Sequence, residues 1–453
     1  MKKLQGRTWF VLLFILLLLG GTGFLMYSYV TEGGEWVAFK ANSHLYSNGQ
    51  MTTGSLTDRN GLVLYDGETD SYAQDEDIRT ACLHAVGDEY GNIVTGGRVL
   101  FRGYMAAFHP LTGVGESGNT VALTIDAKIN ELAYQALDGQ RGTVAVYNYE
   151  TGEILCMVSS PTFDPYDSEE VLIAVNEGDE RYDSVYLNRF LSSTFTPGSI
   201  FKIVTAAAAI EELDALDSFS FTCTGSMELD DGEITCPSAH GDLDLAGALE
   251  HSCNCAFGQL ALELGGQRLM RYAQEAGLLS QLTFDGVTSA RGSYSVTDKD
   301  LDLAWSGVGQ YTNLVNPCSM MALMGAIAGE GKAAAPTLLH GVTSPSGLPA
   351  AIVGSDSHSI GWSEETCQTL KRLMRGNVTG HYGQQQFGDL PVCAKSGTAE
   401  VSSSEQPHAW FVGFVDDPEH PYAFVVMVEH GGWGSKTAGS IAAKVLTAIA
   451  ETE

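Results

Sequence analysis

The stretch TFTPGSIFKIVTAAAAIEEL, residues 194–213, contains a turn signal, a serine and a lysine before a long apolar run. Pro197 and Gly198 predict a turn, and the apolar run after them predicts a helix with Ser199 in its first turn. Since a helix turns about 100° per residue, Ser199 and Lys202 share one face. An apolar setting favours a neutral lysine, which can take the serine proton. The pattern predicts a nucleophilic serine; the alternative is a capping serine beside a lysine that extends to water.

Two motifs further along the chain favour the nucleophile. Ser252-Cys253-Asn254 lies between two helical patterns, and Lys395-Ser396-Gly397-Thr398 ends a predicted strand. A second Ser-x-Asn at 117–119 shows that this tripeptide alone is weak evidence. Three elements in this order, on a helix start, a connection and a strand, are much less probable by chance than any one of them.

Composition limits the classes of function. The chain has 453 residues, with 55 acidic against 24 basic side chains and a net charge of -31. A nucleic-acid partner is therefore not expected, because such partners need positive charge. The length predicts two or three domains.

The N-terminal segment predicts a membrane anchor. Residues 8–31 carry no charge and are long enough to cross a bilayer as a helix. Lys2, Lys3 and Arg7 precede them, so the N-terminus should stay in the cytoplasm and the bulk of the chain lie outside. A cleaved signal peptide is the alternative, since Gly20, Gly21 and Gly23 are small.

The order of the predicted strands gives the fold class. Two apolar runs, GTVAVYN and EILCMVSS, are followed by a long helical middle, three strands from LPVCAKSGTAEV onward and a final helix. This order predicts an α+β domain with a five-stranded antiparallel sheet flanked by helices. The glycine-rich residues 112–120 suggest a boundary, so we expect a tail over 1–7, an anchor over 8–31, a small N-terminal domain over 32–120 and a catalytic domain over 121–453.

The nine cysteines are an odd number, so at least one is unpaired or bonded between chains. Cys223 and Cys236 flank a predicted hairpin around Asp-Asp-Gly, and we expect a disulfide between them outside the cell. Cys253 and Cys255 are interpreted as small buried thiols, because no matching pair lies at the spacing of metal ligands. Neither a metal nor a cofactor is expected.

With its three motifs, the chain resembles the penicillin-binding proteins, whose transpeptidase domain carries Ser-x-x-Lys, Ser-x-Asn and Lys-Thr/Ser-Gly in this order. The segments LTIDAKINELAYQAL, TGEILCMVSSPTFDPY and AWFVGFV extend the resemblance over roughly residues 121–450. The region before them resembles the pedestal of the monofunctional class B branch.

The resemblance implies a role for each motif residue. Ser199 would be the nucleophile and Lys202 its base. Ser252 would relay protons, and Asn254 would hold the substrate backbone. Lys395 would add positive potential and attract the terminal carboxylate of the peptide. Ser396 and Thr398 would hydrogen-bond that carboxylate, Gly397 completes the motif, and the backbone N–H groups of Ser199 and Thr398 would form the oxyanion hole.

The function implied is D,D-transpeptidation of peptidoglycan stem peptides ending in D-Ala-D-Ala, with β-lactams as covalent inhibitors. The alternatives are a D,D-carboxypeptidase or β-lactamase that uses water as acceptor, and a non-catalytic β-lactam sensor or scaffold. The resemblance also implies a partner in the membrane, a glycan polymerase of the SEDS type.

Overall fold

The structure is a computed structural model and describes residues 2–39, 54–111, 113–114, 117–214, 218–401 and 405–452. Three residues of the predicted boundary at 112–120 lie outside the described residues.

A single long helix, Lys2–Ala38, begins the described chain. Its segment Arg7–Ala38 contains an 18-residue window with a mean hydropathy of 2.4 and is long and apolar enough to cross a membrane. The helix is about 55 Å long, so it extends beyond a bilayer core of about 30 Å. Near its end the Glu35 carboxylate accepts a hydrogen bond from the Arg102 guanidinium at 2.8 Å, and the Tyr29 ring lies edge-on to the Phe108 ring with centroids 5.4 Å apart. The end of this helix therefore packs against the segment that carries Arg102 and Phe108.

A small mixed sheet joins the N-terminal region to the rest of the chain. Its strands are, in spatial order, Leu339–Thr343, Thr120–Leu123, Ser55–Thr57, Val63–Asp66 and Ser71–Tyr72. Ser55–Thr57 pairs antiparallel with Val63–Asp66, and it pairs in parallel with Thr120–Leu123. Strands from both sides of residue 120 thus share one sheet.

The central sheet confirms the predicted fold class. It has five strands, all antiparallel, in the order Val392–Ala399, His408–Val415, Tyr422–Val428, Gly142–Asn148 and Ile154–Ser160. All of His408–Val415 is buried, because both faces of the sheet are covered. Successive side chains point to opposite faces. Phe411 belongs to a hydrophobic cluster that includes residues of helices Ala127–Leu137 and Thr437–Thr452. Trp410 belongs to a second cluster that includes residues of helices Lys202–Glu212 and Pro317–Ala328.

The remaining elements surround these sheets. The other α-helices are Glu76–Val86, Gly97–Leu100, Arg102–Met105, Ser168–Glu177, Arg189–Ser192, Leu245–Glu250, Asn254–Leu264, Gly266–Glu275, Asp300–Gly307 and Glu364–Gly376. The other strands form antiparallel pairs: Phe108–His109 with Gly113–Val114, Phe221–Cys223 with Gly241–Leu243, Ser226–Leu229 with Gly232–Thr235, Thr283–Phe284 with Val287–Thr288, and Lys332–Ala334 with Ser357–Ser359. The pair around Gly232 is the hairpin predicted at Asp-Asp-Gly.

Candidate active site

Ser199 lies in a 3₁₀ turn, Gly198–Phe201, that leads directly into the helix Lys202–Glu212. The sequence placed Ser199 in the first helical turn, and the structure differs only in the tighter winding of that turn. Ile200 and Phe201 are buried and fix the turn to the core, whereas Ser199 is half-buried. The Trp410 indole donates a hydrogen bond to the Thr196 carbonyl at 3.0 Å, which ties the segment before Ser199 to the central sheet.

Gly198 brings this turn into contact with the strand that carries Lys395. Its φ is +54°, in the left-handed region that favours glycine. A Cβ atom at this position would lie 2.7 Å from the Thr398 carbonyl oxygen. The close approach therefore places Ser199 beside the end of the Lys-Ser-Gly motif.

Ser252 and Asn254 lie at the start of the helix Asn254–Leu264. Ser252 has a φ of +52°, which is unusual for a residue other than glycine. The Asn254 side-chain oxygen accepts a hydrogen bond from the Lys202 amine at 2.8 Å, and its NH₂ group donates to the Thr235 carbonyl at 2.8 Å. In this structure the amide of Asn254 orients Lys202.

Two fully buried lysines meet at the Ser252 hydroxyl. Lys202 Nζ lies 3.1 Å and Lys395 Nζ 3.0 Å from Ser252 Oγ. Lys202 Nζ also contacts the Ser252 carbonyl at 2.6 Å, and Lys395 Nζ contacts the Ser396 carbonyl at 3.0 Å. Three oxygens surround Lys202 Nζ: the Ser252 carbonyl and hydroxyl oxygens and the Asn254 side-chain oxygen. A neutral amine has only two N–H groups, so a neutral Lys202 can donate to two of these oxygens and accept the Ser252 hydroxyl proton. Lys395 can then donate to the same hydroxyl oxygen. This geometry provides a path for a proton between the two lysines.

Burial changes the pKa of both lysines. Loss of water lowers the pKa of Lys202 well below its usual value, and the neighbouring charge of Lys395 lowers it further. Burial alone lowers the pKa of Lys395 to about 7. An amine with a lowered pKa is available as a base near neutral pH. The site can therefore deprotonate a nearby hydroxyl.

The third motif lies on the edge strand Val392–Ala399, which pairs along its whole length with His408–Val415. Thr398 Oγ1 accepts a hydrogen bond from Gly434 N at 3.3 Å. Ser396 Oγ lies 3.0 Å from the Tyr382 hydroxyl, and Ser396 N donates to that hydroxyl at 3.0 Å. Tyr382 ends a short π-helical segment, Asn377–Tyr382. No motif in the sequence around Tyr382 marks it as a site residue, so it was not predicted.

Cys223 and Cys236 are both free thiols in the structure, so the disulfide predicted between them is not formed. Cys236 instead faces the start of helix Asn254–Leu264. Its sulfur lies 3.7 Å from that of Cys253 and 3.5 Å from that of Cys255. Cys253 and Cys255 are buried, as predicted.

The turn of Ser199 leads into the helix that carries the buried Lys202, and it packs against the edge strand that carries the buried Lys395. Residues 142–451 match the model of the penicillin binding protein transpeptidase domain, and the chain belongs to this family. It is 29% identical over 358 residues to the peptidoglycan D,D-transpeptidase PbpA of Mycolicibacterium smegmatis, covering 74% of this chain and 72% of that protein. The resemblance predicted from the three motifs is confirmed.

Solved structures agree with the fold. The D,D-transpeptidase domain of a peptidoglycan glycosyltransferase from Eggerthella lenta matches with a TM-score of 0.77 at 25% identity, over 89% of this chain and 99% of that one. The penicillin G acyl-enzyme complex of penicillin-binding protein A from Mycobacterium tuberculosis matches with a TM-score of 0.74 at 23% identity, over 88% of this chain and all of that one.

The close packing at Gly198 gives a testable prediction. Gly198→Ala adds a Cβ that collides with the Thr398 carbonyl and must displace the turn that carries Ser199. We expect the rate of acylation by penicillin to fall by about 100-fold, since a shift of about 1 Å at a reacting group can have that effect. The measurement is the second-order rate constant for labelling with fluorescent penicillin.

Gly139→Ala is the matched control. Gly139 also has a positive φ, +74°, but a Cβ there would have no atom within 4 Å. Both variants carry the backbone cost of about 1–2 kcal/mol, so both should unfold at lower temperature, and only Gly198→Ala should label slowly. Equal labelling rates in the two variants would contradict the role of the close packing.

Proposed function

We propose that this chain is a peptidoglycan D,D-transpeptidase that works through an acyl-enzyme on Ser199. The observation that carries the proposal is the Ser252 hydroxyl shared by Lys202 and Lys395 next to the turn of Ser199. The similar PbpA of M. smegmatis, which bears the name of this activity, supports it.

In the first half-reaction, Lys202 takes the Ser199 proton and the serine oxygen attacks the carbonyl of the penultimate D-Ala of a stem peptide. The backbone N–H groups of Ser199 and Thr398 stabilise the negative oxygen that forms. The peptide C–N bond breaks, and the terminal D-Ala leaves with a proton delivered through Ser252. An ester between Ser199 and the stem peptide remains.

In the second half-reaction, an amine from a neighbouring stem peptide attacks the ester. The new amide bond forms the cross-link, the serine oxygen leaves, and the proton lost by the amine returns to Ser199 through Lys202. Before the terminal D-Ala leaves in the first half-reaction, the hydroxyls of Ser396 and Thr398 and the charge of Lys395 bind its carboxylate. A β-lactam would acylate Ser199 in the same way.

The arrangement of the chain is part of the proposal. Residues 1–7 lie in the cytoplasm, 8–31 cross the membrane, 32–120 form a pedestal, and 121–453 form the transpeptidase domain outside the cell. The basic residues before the apolar helix support this orientation. A SEDS-type glycan polymerase as partner remains a prediction from the family resemblance.

Persistence of the penicilloyl adduct tests the choice of acceptor. Because the penicillin fragment stays attached to the acyl group and blocks the site, and no dedicated base for water is identified in the sequence, we expect the adduct on the full chain to last many minutes or longer. The measurement is intact mass after excess penicillin is removed. Loss of the adduct within seconds, with many penicillins hydrolysed per chain, would identify a β-lactamase instead.

A donor peptide ending in D-Ala-D-Ala, given with and without an acceptor amine, distinguishes a transpeptidase from a carboxypeptidase and from a sensor. A transpeptidase releases D-Ala and forms the amide product when the amine is present. Release of D-Ala with a hydrolysed peptide alone would identify a carboxypeptidase. Stable penicillin labelling without any release of D-Ala under either condition would identify a sensor or scaffold.

A further inference from the structure

Four side chains outside the catalytic set converge beside the second motif. Cys223 ends the strand Phe221–Cys223, Cys236 follows the strand Gly232–Thr235, His240 precedes the strand Gly241–Leu243, and Cys253 lies between Ser252 and Asn254. Each offers one ligand atom, and the four atoms lie within 4.8 Å of one another. Cys223 and Cys253 are buried, and the other two are half-buried.

The donor set has the chemistry of a structural zinc site. Three thiols and one imidazole are soft and borderline ligands that favour Zn²⁺ in a tetrahedral arrangement. With zinc–sulfur bonds of about 2.3 Å, two sulfurs of a tetrahedron lie about 3.8 Å apart. The sulfurs of Cys236 and Cys253 lie 3.7 Å apart, which fits one edge of such a tetrahedron.

The surroundings of these ligands also fit a metal site. Nδ1 of His240 is buried and has no hydrogen-bond partner among the described residues, so one polar atom beside the cluster is left unsatisfied. Backbone N–H groups of Asn254 and Cys255 point at the sulfur of Cys236, at 3.2 and 3.4 Å. The Ala256 N–H points at the sulfur of Cys253, at 3.4 Å. Such N–H groups stabilise the negative sulfur of a metal-bound thiolate.

We propose that Cys223, Cys236, His240 and Cys253 bind one zinc ion. The ion joins two strand ends and the loop after the hairpin to the start of helix Asn254–Leu264. Since Cys253 lies directly between Ser252 and Asn254, the ion fixes the positions of both neighbours, and through them that of the Lys202 amine. The site is therefore structural and adjoins the catalytic cleft. The zinc proposal does not depend on whether an amine or water resolves the acyl-enzyme.

Cys255 provides a matched control within the same cluster. Its sulfur lies near Cys236 but does not belong to the set of mutually close ligand atoms, and its S–H donates to the Ile234 carbonyl at 3.5 Å. Cys255→Ser should therefore keep the zinc, whereas Cys223→Ser and His240→Gln should lose it.

The first test is the zinc content of the full chain, purified in detergent without chelators or metal resins and measured by elemental mass spectrometry. We expect one zinc per chain in the wild type and in Cys255→Ser. Loss of one ligand should weaken zinc binding by about 100-fold or more in Cys223→Ser and His240→Gln, since even a residue that only supports a ligand can cost that much. Equal zinc loss in Cys255→Ser and His240→Gln would overturn the proposed ligand set.

The second test does not depend on any variant folding. The wild-type chain is stripped of metal under reducing conditions and loaded with Co²⁺. Visible d–d bands of tetrahedral cobalt together with thiolate-to-cobalt charge-transfer absorption are expected. Two results would overturn the proposal. One is a purified chain that holds no zinc and whose mass is lower by two hydrogens because of a disulfide within the cluster. The other is an octahedral cobalt spectrum.

Discussion

Replacing Ser199 with alanine is expected to abolish covalent labelling by penicillin. The β-lactam carbonyl needs an oxygen nucleophile to form the ester, and alanine has none. In serine enzymes the loss of the nucleophile lowers the rate on the order of 10⁶-fold, so the label should fall to background. Fluorescent penicillin on the purified full chain, followed by intact mass and peptide mapping, measures the effect.

Ser193→Ala is the control for this variant. Ser193 lies six positions earlier in the same segment, and its hydroxyl is buried with no hydrogen-bond partner among the described residues. Its loss should leave labelling unchanged. An adduct mapped to a serine other than Ser199, or a Ser199→Ala variant that still labels, would disprove the assignment of the nucleophile.

Replacing Lys202 with alanine should slow acylation by about 10²–10⁴-fold, the usual contribution of a general base. The wild-type rate should fall on acidification through the pKa of Lys202, because a protonated amine cannot accept the serine proton. Burial and the charge of Lys395 lower that pKa, so the fall should begin well below the usual pKa of a lysine. The variant should lose this dependence on pH. Second-order acylation rates across a pH series provide both results.

Two further variants serve as controls for the acylation rate of Lys202→Ala. Lys202→Met keeps most of the buried volume and separates lost chemistry from a cavity. Lys371→Ala removes a lysine that contacts Asp416 at 2.8 Å and the Ala328 carbonyl at 3.2 Å, and it should label at the wild-type rate. If Lys202→Met were acylated as fast as the wild type, the proton of Ser199 would have to go elsewhere.

The fold could be predicted because its central strands are short, apolar and bounded by turn residues. GTVAVYN and HAWFVGFV both became strands of one sheet whose two faces are covered. The motif residues could be predicted because the spacing from Ser199 to Lys202 is set by helix geometry. The meeting of Lys202 and Lys395 at Ser252 joins parts of the chain far apart in sequence, and only the resemblance to a family suggested it.

The cysteines show where sequence reasoning failed. The spacing of Cys223 and Cys236 around a hairpin suggested a bond between them, but the local pattern says nothing about the side chains packed on top of the hairpin. The helix Asn254–Leu264 brings Cys253 and Cys255 to the same place. Tyr382 was missed for the same reason, since its contact with Ser396 depends on tertiary packing alone.

The small mixed sheet has a practical consequence for anyone who shortens this protein. A chain cut at residue 121 would lose Ser55–Thr57, the parallel partner of Thr120–Leu123. The remaining strand would present unpaired N–H and C=O groups along one side while Leu339–Thr343 still occupied the other. Exposed edges of this kind recruit strands from other molecules and cause aggregation. Soluble, monomeric protein for crystallography or drug screening should therefore begin before Ser55.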